Sequence, residues 1–214
     1  MKYTHILWDF NGTILDDVQT GIKSINTLLE RRNLPIIPDE SYYKDVFTFP
    51  IINYYKRLGF DFSKEPFDII AHEWVKEYME NVKDAGVNDG VMHLLERLKS
   101  AGIRQYILSA TQSEMLDSQL GFLGIKEYFE NCYGLDNIYA ESKTALGKKM
   151  ISDLNPQKAL LIGDTSHDYE TALEMGIDCV LCACGHMKKE DLVKCSCFVF
   201  DSIKDVEKYI FDTI

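Results

Sequence analysis

Short apolar runs alternate with amphipathic stripes along most of the chain. His5 to Trp8 reads as a buried strand that ends on Asp9, and a Gly12-Thr13 turn follows at once. Ile103 to Leu108, Asn131 to Gly134, Ala159 to Ile162, Cys179 to Ala183 and Phe198 to Phe200 repeat the strand pattern. Helical stripes lie between them. Val91, Leu94, Leu95 and Leu98 share one face after the Asp89-Gly90 turn. Ser113 to Leu123 is closed by Gly124, and Ser166 to Met175 by Gly176. Lys143 to Leu154 and Ile203 to Phe211 complete the set. This alternation predicts an α/β fold, a parallel Rossmann-like sheet with helices on both faces.

Residues 17–85 break the rhythm. Val18, Ile22, Ile25, Leu28 and Leu29 make one apolar face. Pro50 opens a second helix carrying Ile51, Tyr54, Tyr55 and Leu58. Phe67, Ile70, Trp74, Val75, Tyr78 and Val82 form a third stripe. The expected organisation is therefore an α/β core built from residues 1–15 and 88–214, with residues 16–87 inserted as an α-helical cap. Asp16-Asp17 and Gly86 to Gly90 are the expected hinges, and such an insert can close over the carboxyl ends of the strands. Its dense aromatics are expected mainly to fill its own small core, with Phe47 to Pro50 available to face the crevice.

Composition narrows the partners. The chain has 214 residues, 46% hydrophobic and 27% charged, with a net charge of −11. A surface this acidic argues against nucleic acid and anionic membranes, so an anionic ligand needs a local cluster of cations or dipoles. No export signal or membrane-length apolar run is read, and six cysteines without one suggest reduced thiols in a cytoplasm. Cys179, Cys182, Cys184 and His186 crowd together, with Cys195 and Cys197 nearby. The paired C-x2-C pattern of a zinc site is absent, and the strand-like setting makes these cysteines small hydrophobes.

The chemistry lies at the strand ends. Asp9 closes the first strand and Ser109 the next core strand. Lys143 opens the helix after the third, and the fourth runs into Gly163-Asp164-Thr165-Ser166-His167-Asp168. In a parallel sheet these ends converge on one crevice. Taken singly, Asp9 is ordinary turn chemistry and Asp164 or Asp168 an ordinary helix cap. Together they make a kit for phosphoryl transfer. A phosphate monoester repels a carboxylate nucleophile, and a Mg²⁺ held by Asp9 and Asp164 offsets that repulsion. Lys143 adds a positive charge between Asp9 and the phosphate. The Ser109 hydroxyl and nearby backbone N–H groups take the remaining phosphate oxygens. Asp9 attacks phosphorus and forms an aspartyl-phosphate.

Four motifs carry a resemblance over essentially the whole chain: Asp9-Phe10-Asn11-Gly12-Thr13, Ser109 after Tyr106-Ile107-Leu108, Lys143, and Gly163-Asp164-x-x-x-Asp168. In this order, with a helical insert after the first, the chain resembles the haloacid dehalogenase superfamily, in its phosphoglycolate-phosphatase-like branch with a helical cap. The resemblance implies that Asp9 is nucleophile and metal ligand, and that Asp164 is a metal ligand. Asp168 supports the metal or holds Lys143, and Asn11 contacts the metal through its backbone carbonyl. Ser109, Ala110, Gly12, Thr13 and Lys143 surround the phosphate. Lys148 and Lys149 read as a solvated helix face.

Asn11 departs from the pattern. Phosphatases of this family carry a second aspartate there, which protonates the leaving alcohol and then activates water. Asparagine hydrogen-bonds but exchanges no proton near neutral pH, and such help is worth about 10²–10⁴-fold. Three readings stay open: a slow phosphatase suited to good leaving groups; another proton source, for which His167 is a candidate although an exposed loop position is the plainer reading; or a protein that binds a phosphorylated ligand with little turnover. Dehalogenases usually have tyrosine at this position, so dehalogenation is not expected. The expected ligand is a small phosphorylated metabolite, with a monomer or homodimer as the unit. The insert offers no second anion site for a carboxylate, so the branch name assigns no substrate.

Overall fold

The computed structural model describes residues 2–139 and 143–212. Six parallel strands form one sheet in the order β3-β2-β1-β4-β5-β6. They are β1 (His5–Trp8), β2 (Arg104–Gln112), β3 (Asn131–Leu135), β4 (Ala159–Gly163), β5 (Asp178–Cys182) and β6 (Phe198–Phe200). The chain builds outward from β1 through β2 to β3, then crosses back to lay β4, β5 and β6 on the other side. The strand order therefore reverses at the β1–β4 pair, where Trp8 lies opposite Ile162. Open α/β sheets place their ligands at such a switch point, outside the carboxyl ends of the strands.

The sheet is buried on both faces, which is why its central strands read as continuous apolar runs. Ile6, Trp8, Ile107, Leu160, Ile162 and Val180 point to one face. There they meet Leu94, Leu95 and Leu98 of α5 (Val91–Ser100), Leu116 and Leu120 of α6 (Ser113–Leu123), and Ile203 and Val206 of α10 (Ile203–Asp212). Leu7, Tyr106, Leu108 and Leu161 point to the other. There they pack on Met150 of α7 (Thr144–Leu154) and on Ala172 and Met175 of α8 (Ser166–Met175). Trp8 is fully buried, and its indole N–H donates to Gln105 Oε1 at 3.1 Å, so no polar atom of the ring is stranded.

Between β1 and α5 lie α1 (Val18–Arg31), α2 (Glu40–Val46), α3 (Ile51–Arg57) and α4 (Phe67–Asn81). Their apolar stripes bury a cluster of their own around Ile25, Leu29, Tyr54, Tyr55 and Ile70. The stripes expected for α1, α3 and α4 are those observed. The short helix α2 was not expected. Tyr43 is its one buried residue, too few for a periodic signal, and Asp39 starts it by accepting from the Tyr42 N–H at 2.8 Å. The four-residue helix α9 (Lys189–Leu192) is likewise silent in the pattern.

Two boundaries need correction. β2 does not end at Ser109 but runs to Gln112, where its pairing with β3 resumes after a shift of register. Polar Ser109, Thr111 and Gln112 continue the strand backbone without its apolar signature. Lys143 does not open α7 but precedes it as the capping residue. No helix among the described residues is long and apolar enough to cross a membrane.

Candidate active site

Asp9 follows β1 and Asp164 follows β4, so neighbouring strands deliver two carboxylates to the switch point. Asp168 adds a third from the first turn of α8. All three are buried, and each offers an oxygen within 4.8 Å of the others. The Lys143 ammonium sits among them. It pairs with Asp9, lies 2.7 Å from Asp168 Oδ1 and donates to the Leu108 carbonyl at 3.0 Å.

Electrostatics shows what this cluster lacks. Burial raises the Asp9 carboxyl well above its ordinary range, Asp168 adds to the shift, and Lys143 only partly opposes it. Asp164 is pushed up to about 6, again chiefly by burial. Asp168 is held low, because Lys143 and the Thr165 hydroxyl overcome its burial. Burial disfavours the Lys143 charge, but Asp168 and Asp9 more than restore it. Three buried carboxylates against one ammonium leave negative charge uncompensated, and the donors are all oxygen. That set fits a small hard divalent cation such as Mg²⁺.

Asp168 is the most occupied of the three. Its Oδ2 accepts from the Thr165 N–H at 2.9 Å, the Thr165 hydroxyl at 2.7 Å and the Asp164 N–H at 3.2 Å. It thus closes a capping box on α8 while its other oxygen holds Lys143. The helix-cap role and the site role belong to one side chain.

Close approach of backbone shapes the Asp164 pocket. Asp164 Oδ2 accepts the His186 N–H at 2.6 Å and Oδ1 accepts the Thr13 hydroxyl at 3.1 Å. A Cβ on Gly185 would stand 2.1 Å from Asp164 Oδ2, and one on Gly12 2.4 Å. Gly12 also has a φ of +75°, which side chains rarely adopt. Gly185→Ala is accordingly expected to displace Asp164 and weaken divalent-cation binding about 10–100-fold. Calorimetric titration with Mg²⁺ checks this, and an unchanged affinity would exclude Asp164 as a ligand of the cation.

Gly12 and Thr13 do not line the cavity. The Gly12 N–H donates to Asp17 Oδ1 at 2.8 Å, its carbonyl accepts from Asn88, and the Thr13 hydroxyl is spent on Asp164. These groups tie the turn to Asp17, Asn88 and Asp164. Ser109 and Ala110 do line the cavity, and Ser109 Oγ accepts from the Thr111 N–H at 3.0 Å.

Asn11 is locked on both sides of its amide. Its NH₂ donates to Asp17 Oδ2 at 2.8 Å and to the Tyr78 hydroxyl at 2.7 Å, and its Oδ1 accepts from the Thr111 hydroxyl at 2.5 Å. Tyr78 in turn donates to Asp17 Oδ2 at 2.5 Å. Asp17 is 2% exposed. It occupies the capping position of α1 but turns into the site instead of capping the helix. An aspartate at position 11 would set a second carboxylate against it. Asn11 is therefore matched to Asp17.

Asp17 answers to His186, whose Nε2 lies 3.3 Å from Asp17 Oδ1. Burial works against the imidazolium, yet Asp17 outweighs it and raises His186 to about 9. Burial likewise opposes the Asp17 charge, and His186 keeps that carboxyl below its ordinary value. As an imidazolium His186 donates from Nδ1 to the Tyr43 hydroxyl at 2.8 Å. Sequence reasoning missed Asp17, Tyr78 and His186. Asp17 looked like a hinge, Tyr78 like core, and His186 like a neighbour of the cysteines. The six cysteines are unpaired.

His167 also needs correction. It stands on the first turn of α8, not in an exposed loop, and its side chain is 13% exposed. Its ring packs on Phe49 at 5.1 Å, and Nε2 is buried without a hydrogen-bond partner. Lys148 is paired with Glu174 on the surface and takes no part.

The carboxylates open into a cavity of about 170 Å³ whose far wall comes from the inserted helices. Phe47, Phe49, Tyr54 and Trp74 line it together with Tyr78. The expectation that Phe47 and Phe49 face the crevice matches their place here. Tyr54, expected as packing, contributes to both the helical cluster and the cavity.

Residues 6–182 match the family model described as haloacid dehalogenase-like hydrolase. The chain is 28% identical over 189 residues to a phosphoglycolate phosphatase of Aquifex aeolicus, covering 86% of each. It is 24% identical over 201 residues to a 5'-nucleotidase of Pseudomonas aeruginosa, covering 90% of this chain and 88% of that protein. A haloacid dehalogenase-like hydrolase structure from Streptococcus pneumoniae superposes with a TM-score of 0.83 at 20% identity, over 98% of this chain and 99% of that one.

Proposed function

This chain belongs to the haloacid dehalogenase-like hydrolase family, and from that premise we propose that it is a Mg²⁺-dependent phosphatase of small phosphomonoesters working through an aspartyl-phosphate on Asp9. The observation that carries this reading is the Lys143 ammonium paired with Asp9 and Asp168 beside Asp164, at the reversal of the sheet. Asp9, Asp164 and the Asn11 backbone carbonyl would hold the cation, with Asp168 in support. When bound, Mg²⁺ offsets the charge of the phosphate oxygens and of the carboxylates.

Asp9 attacks phosphorus as the bond to the leaving oxygen breaks. Lys143 neutralises charge on the Asp9 side, and the Ser109 hydroxyl with the Ala110 backbone takes a phosphate oxygen. Water then attacks the phosphorus and frees Asp9. Asn11 supplies no proton in the first step and accepts none in the second, because both ends of its amide are engaged. Residues 16–87 act as a cap that brings its aromatic wall over the phosphate. The ligand is a small phosphorylated metabolite met in the cytoplasm, and the chain works as a monomer or homodimer.

The locked Asn11 amide also favours one alternative, a protein that binds a phosphorylated ligand and does not hydrolyse it. Phosphate release from a panel of esters, with Mg²⁺ and with chelator, separates the two. The native chain is expected to turn over slowly and only with Mg²⁺. Asn11→Asp is expected to speed alkyl esters, by less than the roughly 10²–10⁴-fold that an acid–base group provides, because Asp17 faces the new carboxylate. A silent native chain beside an active Asn11→Asp variant would establish the binding reading instead.

A further inference from the structure

The cavity beside Asp9 is built for something unlike a sugar acid. Phe47, Phe49, Tyr54, Phe67 and Trp74 wall it. Among the described residues that line it, the basic side chains are Lys143, His167 and His186. Lys143 is committed to Asp9 and Asp168, and His186 to Asp17. No arginine stands among them, so a carboxylate or a second phosphate on the leaving group finds no strong counter-charge. The Tyr54 hydroxyl and His167 Nε2 are both buried without partners. The volume of about 170 Å³ is shared with the phosphoryl group beside Asp9, so the aromatic end admits no more than one small ring, an apolar cavity of about 150 Å³ being enough for benzene.

The chemistry at Asn11 points the same way by an independent route. With no proton donor at this position, the leaving oxygen departs as an anion. An alkoxide is a poor leaving group, whereas a phenol loses its proton near pH 10, as tyrosine does. Missing acid catalysis therefore handicaps alkyl esters and largely spares aryl esters.

We propose that the substrates of this site are aryl phosphates, monoesters of small uncharged phenols whose ring enters the aromatic cavity. This rests on the phosphatase reading above and names its substrate class. In the first step an Asp9 oxygen bonds to phosphorus while the P–O(aryl) bond breaks. The electron pair stays on the phenolate oxygen, which takes a proton from water. In the second step a water oxygen bonds to phosphorus, its proton passes to solvent, and the P–O bond to Asp9 breaks to return the carboxylate. For an aryl ester, whose first step is fast, the lack of a base at position 11 makes the second step the slower. Phenol release then runs ahead of phosphate release, in a burst of one phenol per enzyme.

The test compares phenyl phosphate, benzyl phosphate and phosphoglycolate with Mg²⁺. Benzyl phosphate keeps the ring but leaves as an alkoxide. The expected result is kcat/KM about 10²-fold higher for phenyl than for benzyl phosphate, a phenol burst that benzyl phosphate does not show, and phosphoglycolate at background. Asn11→Asp should narrow the phenyl-to-benzyl gap at least tenfold, and Phe49→Ala should raise both ring KM values severalfold. Calorimetry with phenylphosphonate and phosphonoacetate reads binding without turnover, and the ring compound should bind at least tenfold tighter. Phosphoglycolate hydrolysed as fast as phenyl phosphate, or phosphonoacetate bound as tightly as phenylphosphonate, would overturn the aryl assignment and leave the phosphatase reading standing. No hydrolysis of any ester, with phenylphosphonate still preferred, would overturn the phosphatase reading and keep the ring site.

Discussion

On the proposed mechanism Asp9→Asn is expected to cut phosphate release about 10⁴-fold or more, because it removes the proposed nucleophile and leaves only binding and charge stabilisation. The same substitution should raise stability. The fold holds the Asp9 carboxyl well above its ordinary value, chiefly through burial and then through Asp168, with Lys143 opposing. A group raised in this way is protonated more readily in the native than in the unfolded chain. At neutral pH its ionised form therefore works against folding. A neutral isostere of nearly the same size relieves that burden. Lys143 keeps its second partner, Asp168, at 2.7 Å. A Tm rise of about 2–4 °C is expected, the equivalent of about 1 kcal/mol at this chain length. The pair of measurements is phosphate release and thermal unfolding in chelator. Loss of activity with a lower Tm would mean that Asp9 is mainly structural.

Lys143→Met carries the opposite sign. The lysine side chain is 2% exposed and is the cation within reach of Asp9 and Asp168. Removing it leaves buried carboxylates facing one another, and breaking such a pair from one side costs about 3–5 kcal/mol. At this chain length that is a Tm drop of roughly 10 °C. Added Mg²⁺ should recover part of the drop, since a divalent cation supplies the charge that the ammonium gave. Activity should fall as well, by about 10²-fold or more, the scale set by losing one preorganised electrostatic contact. Thermal melts with and without Mg²⁺ check the first claim. A Tm within 2 °C of the native value would show that the carboxylates are not held apart by Lys143.

Much of this site is legible from the residues. Asp9 and Asp164 terminate apolar runs, and a parallel sheet brings such ends together whatever the rest of the chain does. The stripes of α1, α3 and α4 are likewise local, because helical periodicity reports which face is buried. Asn11 stands out as soon as the motif around it is recognised. What escapes is the network of side chains around Asn11 and Asp17. Asp17, Tyr78, Thr111 and His186 come from four separate segments, and their contacts with Asn11 or one another run from 2.5 to 3.3 Å. Periodicity says that Tyr78 is buried but not that its hydroxyl ends on a carboxylate. Asp17 occupies a helix-capping position, and nothing local announces that it turns inward.

The apolar pattern by itself determined the parallel sheet, the helical insertion and the carboxylates at the strand ends, because these follow from backbone periodicity and chain direction. The tertiary structure alone decided that Asn11 is paired with Asp17, that His186 balances that carboxylate, and that aromatic rings face Asp9. Those are outcomes of packing between segments far apart in the chain, where burial turns each unpaired charge into a cost that only a specific partner removes.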